Sequence, residues 1–362
     1  MTDLDAALVE QFLNVPVAQR KAMIEPDGVL DGDHGETVAV WFGVGHGQSD
    51  YPDPIKATQP YGGQLKEFTM KTLVTLALSL ALLTAAAQAG GSGGRQEGML
   101  EINGAQIHYV SVGSGTPMLL LHGYPLSGEL FARNRDALSQ AGYRVITIDH
   151  RGYGMSTAPA GDPGSLEAYA KDALAVMDSL NIPKAIIGGM SMGGPITFEM
   201  YREAPDRFMG LILIDTIANP AGIVEQNIWK GMAQKATMYG PQSLAPELLK
   251  DMLTGQTRMN RPGDTKVLTQ IVSQVSVAGD VAGAMVLANR PDSIPTLKTI
   301  RVPTLILVGL EDTVYPPEFS MKMQQNISGS KLVIIPGAAH AAVFEKAGAM
   351  NAAIIAWART VR

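Results

Sequence analysis

Ser191 stands in the run Gly189-Met190-Ser191-Met192-Gly193, after an apolar stretch that reads as a strand. Gly194-Pro195 follows, and proline suits the first turn of a helix. A serine at so sharp a strand-to-helix turn has strained backbone angles, and small neighbours relieve the crowding. The turn lifts the hydroxyl above the sheet, near a helix N-terminus that favours negative charge. A serine hydroxyl is a weak nucleophile and needs a base, normally a histidine oriented by a carboxylate. The sequence has six histidines, and only His340 follows Ser191. It ends the run Pro336-Gly337-Ala338-Ala339-His340, just past the last apolar stretch that reads as a strand. The chemistry these residues point to is nucleophilic attack on a carbonyl carbon.

Several other chemistries are excluded. There is no cysteine among the 362 residues, which rules out disulfides, thiolate zinc sites, iron–sulfur clusters and a cysteine nucleophile. No HExxH, clustered His/Asp ligand set, phosphate loop or G-x-G-x-x-G after a strand occurs, so neither a metal nor a nucleotide cofactor is expected. The net charge of −6 argues against nucleic acid as a partner. With 46% hydrophobic and 17% charged residues, the chain is too apolar to be a disordered one.

The elements that must position Ser191 are short apolar runs alternating with helical stretches. Met99 to Asn103 and Gln106 to Val112 read as strands around the hairpin signal Asn103-Gly104. Met118 to Leu121, Arg144 to Ile148, Ala185 to Ile187, Leu211 to Ile214, Thr304 to Val308 and Leu332 to Ile335 read as further strands. Leu166 to Leu180 has helical spacing, with Leu166, Tyr169, Ala170, Ala173, Leu174, Met177 and Leu180 on one face, and a helix opens at Pro195. This order predicts an α/β chain with a mostly parallel sheet covered on both faces. Between Thr216 and about Ile300 the strand pattern stops and helical spacing takes over, which predicts a cap inserted at about residues 217–300.

The acidity is confined to the front of the chain. Residues 1–69 carry four Lys and Arg against eleven Asp and Glu, whereas residues 90–362 carry 23 of each sign. Between them, Met70-Lys71 is followed by an apolar run from about Leu73 to Ala87 that ends Ala87-Gln88-Ala89. A basic start, a short apolar run and a small-x-small end are the parts of a secretory signal peptide, with cleavage expected after Ala89. The run is shorter than the ~20 residues a membrane span needs. The expectation is that translation starts at Met70 and that residues 1–69 are a non-native extension, poorly ordered. Residues 90–98 are expected to be a flexible linker, opening with Gly90 to Gly94. The protein is then expected to be secreted or periplasmic, touching a membrane only through its transient signal peptide.

Three motifs together resemble those of the α/β-hydrolase-fold serine hydrolases, over nearly all of residues 99–362. They are the elbow Gly189-Met190-Ser191-Met192-Gly193-Gly194, the run His122-Gly123-Tyr124-Pro125, and Asp149-His150-Arg151-Gly152-Tyr153-Gly154-Met155-Ser156. Within that superfamily the chain is most similar to small carboxylesterases, enol-lactonases and cofactor-free haloperoxidases. The resemblance implies the chain order nucleophile, acid, histidine, with Ser191 as nucleophile and His340 as base. It implies Asp312, in Gly309-x-x-Asp312 after the penultimate strand, as the acid, with Asp215 after the preceding strand as the alternative. It implies an oxyanion hole built from the backbone N–H groups of Tyr124 and Met192. His122, Asp149 and Arg151 are expected to brace loops. Met190 and Met192 fit either an adaptable apolar pocket or plain core packing. The expected partner is a small-molecule ester or lactone, with peroxide in place of water as acceptor in one alternative, and a non-catalytic ligand-binding protein as another.

Overall fold

The computed structural model describes residues 94–162 and 164–361. The acidic extension 1–69, the signal peptide 70–89 with its cleavage point, and residues 90–93 of the expected linker lie outside the described residues. Eight strands form one sheet: β1 (Gln96–Ile102), β2 (Ala105–Val112), β3 (Thr116–Leu121), β4 (Tyr143–Ile148), β5 (Ala185–Met190), β6 (Phe208–Ile214), β7 (Thr304–Gly309) and β8 (Lys331–Ile335). Their order is β1-β2-β4-β3-β5-β6-β7-β8. β1 pairs antiparallel with β2 and β2 with β4, and every other pairing is parallel.

The helices, in chain order, are α1 (Ala132–Gln140), α2 (Leu166–Ser179), α3 (Gly193–Glu203), α4 (Ile223–Tyr239), α5 (Ala245–Met252), α6 (Gly255–Asn260), α7 (Pro262–Ser273), α8 (Val277–Ala288), α9 (Ile294–Leu297), α10 (Pro317–Asn326), α11 (Ala342–Glu345) and α12 (Ala347–Ala358). α2 packs on α3, and α1 packs on α12. The right-handed rule for parallel crossovers puts the two pairs on opposite faces of the sheet. β5 and β7 are buried at every residue, as strands covered on both sides must be. Among the described residues no single helix is long and apolar enough to cross a membrane.

One end of the sheet is set up to receive a ligand. From β3 the chain crosses to β4 on one side, and from β4 it returns past β3 to β5 on the other. The loops after β3 and β5 therefore diverge at a switch in winding direction, and open α/β sheets bind ligands in such a crevice. The 122–124 loop follows β3 and Ser191 follows β5. The long insertion between β6 and β7 carries α4 to α9, with α4 and α8 packed on each other.

β1 differs from expectation at its start. It begins at Gln96, so Gln96 to Gly98 of the expected linker are strand, in register with Ser111 to Tyr109 of β2. An edge strand is held by backbone bonds to one neighbour and needs no apolar side chains to form, so composition alone misses it. The turn that follows has Asn103 at φ +50° and Gly104 at φ +77°, the left-handed pair that a two-residue hairpin of this twist requires.

Candidate active site

The serine turn is held from three directions. Ser191 has φ +52°, a left-handed conformation that costs a non-glycine residue about 1–3 kcal/mol. Its N–H donates to the Ile214 carbonyl at 2.9 Å, tying the turn to the end of β6. Its carbonyl accepts from Gly194 N–H at 2.9 Å and from the Thr216 hydroxyl at 2.6 Å. A Cβ at Gly189 would lie 2.1 Å from the Gly193 carbonyl oxygen, and one at Gly193 would lie 2.4 Å from that of Leu121. Both contacts are with backbone, so the tight strand-to-helix turn needs glycine at both ends.

His340 bridges Ser191 and Asp312. The Ser191 hydroxyl donates to His340 Nε2 at 2.9 Å, and His340 Nδ1–H donates to Asp312 Oδ2 at 2.8 Å. A carboxylate only accepts, so the imidazole proton belongs on Nδ1, which leaves Nε2 free to take one. Asp312 Oδ1 accepts the N–H groups of Val314 and Tyr315 at 2.8 and 3.0 Å, which fixes the carboxylate plane. All three side chains are buried, with Ser191 at 5% exposure. Asp215, the alternative acid, does not reach the imidazole. Its oxygens accept Gly309 N–H at 2.7 Å and Ala342 N–H at 3.3 Å, so it joins the end of β7 to the start of α11. Burial, and then the charge of Asp312, push its carboxyl well above the usual carboxylate range.

The 122–124 loop lies against the serine turn: a Cβ at Gly123 would come within 2.7 Å of Ser191 Cβ. Among the described residues neither the Tyr124 nor the Met192 N–H donates to a protein acceptor, which leaves both able to donate to a ligand oxygen. His122 braces this loop. Its Nε2 accepts His150 N–H at 3.0 Å, so Nδ1 carries the proton and donates to the Gly123 carbonyl at 2.8 Å. Burial pushes its pKa down to about 4, which keeps the ring neutral. Asp149 accepts N–H bonds from Gly128 and Met155 and pairs with His108, while Arg151 pairs bidentately with Asp172. Both tie loops down and neither reaches Ser191. Met190 and Met192 are fully buried, and the Met190 sulfur packs under Gly123.

Sequence reasoning missed Tyr315, which stands beside His340, and the ion pair in the insertion that holds its hydroxyl. The Tyr315 ring stands edge-on to the imidazole, centroids 5.6 Å apart. Its hydroxyl donates to Glu225 Oε1 at 3.2 Å, and Glu225 pairs bidentately with Arg290 at 2.6 and 2.5 Å. Glu225 is on α4 and Arg290 just beyond α8, so the start of one helix and the end of the other meet at the Tyr315 hydroxyl. No motif marks these residues, because their partners are far away in the chain.

A family model described as the alpha/beta hydrolase fold matches residues 116–347. A solved thermophilic esterase from Thermogutta terrifontis is 32% identical, with a TM-score of 0.70 over 74% of this chain and 99% of that one. The solved enol-lactonase from Burkholderia xenovorans LB400 is 26% identical, with a TM-score of 0.68 over 72% of this chain and 99% of that one. A non-heme haloperoxidase from Rhodococcus erythropolis is 27% identical over 271 residues, covering 70% of this chain and 96% of its own.

Proposed function

Since the chain belongs to the α/β-hydrolase family, we propose that it is an exported serine hydrolase acting on a carboxylic ester or lactone. The observation that carries this reading is the unbroken hydrogen-bond line from Ser191 through His340 to Asp312. Ser191 Oγ attacks the carbonyl carbon as His340 Nε2 takes its proton. Asp312 stabilises the imidazolium and holds the ring in register. The Tyr124 and Met192 N–H groups receive the oxyanion of the tetrahedral intermediate. His340 then gives its proton to the departing alkoxide, leaving an acyl-enzyme. Water repeats the sequence in the second half: His340 takes its proton, the acid leaves, and Ser191 is regenerated. The similarity to an esterase and an enol-lactonase supports this substrate class.

A fluorophosphonate probe and a short-chain p-nitrophenyl ester test it on wild type and Ser191→Ala. Labelling and turnover in wild type alone are expected, and equal behaviour of the two proteins refutes the reading. Likeness to a haloperoxidase favours a second acceptor, peroxide in place of water on the same acyl-enzyme. Measuring peracid formation beside ester hydrolysis separates the two. Export rests on residues 70–89 of the sequence. N-terminal sequencing of the native protein is expected to begin at Gly90.

A further inference from the structure

His340 sits on neither a strand nor a helix. It is in the loop between β8 and α11, yet its imidazole must stay within hydrogen-bond reach of partners on two other loops. The loop's backbone groups show what holds it. His340 N–H donates to the Asp251 carbonyl at 3.2 Å, and Ala341 N–H to that of Met252 at 2.9 Å. Both acceptors are at the C-terminal end of α5, in the insertion. Ala339 N–H, the third in the row, donates instead to Glu345 Oε2 at 2.7 Å. The other oxygen of that carboxylate turns to the insertion. Glu345 Oε1 accepts both the N–H of Thr254, at 2.9 Å, and its hydroxyl, at 2.7 Å. Thr254 lies two residues past Met252, so three N–H groups around the base are fastened, directly or through Glu345, to one corner of the insertion.

Glu345 is buried, with 2% exposure, and its carboxylate takes three donors: the N–H groups of Thr254 and Ala339, which have no other acceptor among the described residues, and the Thr254 hydroxyl, which also lies 3.1 Å from that of Thr257. Removing it leaves the two N–H groups desolvated and unpaired, which the loop relieves by moving. A glutamine of the same length offers one carbonyl oxygen and presents an NH₂ group to a donor on the other side, so it mends only one half of the bridge.

We propose that Glu345 is a second positioning residue for His340, beside Asp312, joining the loop that carries the base to Thr254 of the helical insertion. This rests on the serine hydrolase reading. Glu345 touches neither Ser191 nor Asp312, so its effect reaches the chemistry through where the imidazole sits. A misplacement of about 1 Å costs roughly 100-fold in rate.

The test compares full-length wild type with Glu345→Gln, Thr254→Val and Thr254→Ser. Active sites are counted by fluorophosphonate labelling, and kcat and KM for a p-nitrophenyl ester are expressed per labelled site. The His340 Nδ1 proton is followed by NMR, assigned with His340→Gln. Glu345→Gln is expected to lower kcat per site by about 10- to 100-fold with KM within about twofold, and to shift or broaden the Nδ1 proton signal. Thr254→Val should move both readouts the same way by less, and Thr254→Ser, which keeps the hydroxyl, should match wild type. A purely structural role would lower the number of labelled sites while leaving kcat per site and the Nδ1 proton unchanged, and that result overturns the proposal. If Glu345→Gln does not fold, Thr254→Val decides by the same criteria. If wild type neither labels nor turns over, the hydrolase reading fails, and the Nδ1 proton alone decides whether Glu345 positions His340.

Discussion

At Asp312 the two carboxylate oxygens have separate tasks: Oδ1 is held by two backbone amides and Oδ2 accepts from the imidazole. An amide in its place would present NH₂ either to those two N–H donors or to His340. Asp312→Asn is therefore expected to lower turnover by about 10⁴ in the ester assay, the loss seen for the comparable change in the protease triad. A variant at full activity would exclude Asp312 as the imidazole's partner in catalysis. Asp215→Asn should do otherwise, because that side chain contacts backbone amides only. At this scale the sequence was readable where chemistry restricts residue type and chain order. Ser191 is framed by glycines that nothing larger can replace, and His340 is the one histidine after it. Glu345 was unreadable because its partner Thr254 lies 91 residues earlier, and no local pattern registers a pairing over that span.

The serine turn is the element under most constraint. The backbone of Gly193 sits where a Cβ on Gly189 would go, and the contact of 2.1 Å is with a carbonyl oxygen that cannot swing aside. Gly189→Ala is expected to destabilise the protein by about 3 kcal/mol, the upper range for overpacking, or to prevent folding. Thermal melting checks this, and a melting temperature equal to wild type would show that the turn has slack. Buried parallel strands were readable for a related reason. Covered on both faces, β5 and β7 had to be continuous apolar runs, and only their ends shifted. The first residues of β1 carry no such demand, so Gln96 to Gly98 looked like linker.

Across the whole molecule, buried titratable groups work against one another as pH changes. Burial pushes His122 down to about 4 and His150 well below its ordinary value. The unfolded chain then binds protons that the folded one refuses, so these two rings weaken the fold as pH falls from about 6.5 to 4. Asp280, on α8, has the opposite sign. It is fully buried, neither oxygen has a partner among the described residues, and burial raises its pKa from 3.8 to about 7. The folded state holds that proton where the unfolded state has lost it, so its contribution worsens as pH rises from about 4 to 7. Asp280→Asn, which stays neutral, should gain up to about 4 kcal/mol over wild type at pH 8 and almost nothing at pH 4. Melting curves across that range read the gap, and a gap independent of pH would show that Asp280 is not the group responsible.

The corner of the insertion at Asp251 to Thr254 also limits how such a protein can be re-engineered. Exchange of whole insertions between relatives is an obvious route to new substrates. Here the piece removed would take with it the carbonyls of Asp251 and Met252 that anchor the His340 loop. A donor insertion lacking acceptors at the same height would leave the His340 loop without its anchors. Residues 251–254 therefore belong with the recipient scaffold in any chimera, and the splice points that preserve turnover lie on either side of them. Diversity is better sought by substitutions elsewhere in the insertion than by trading the module.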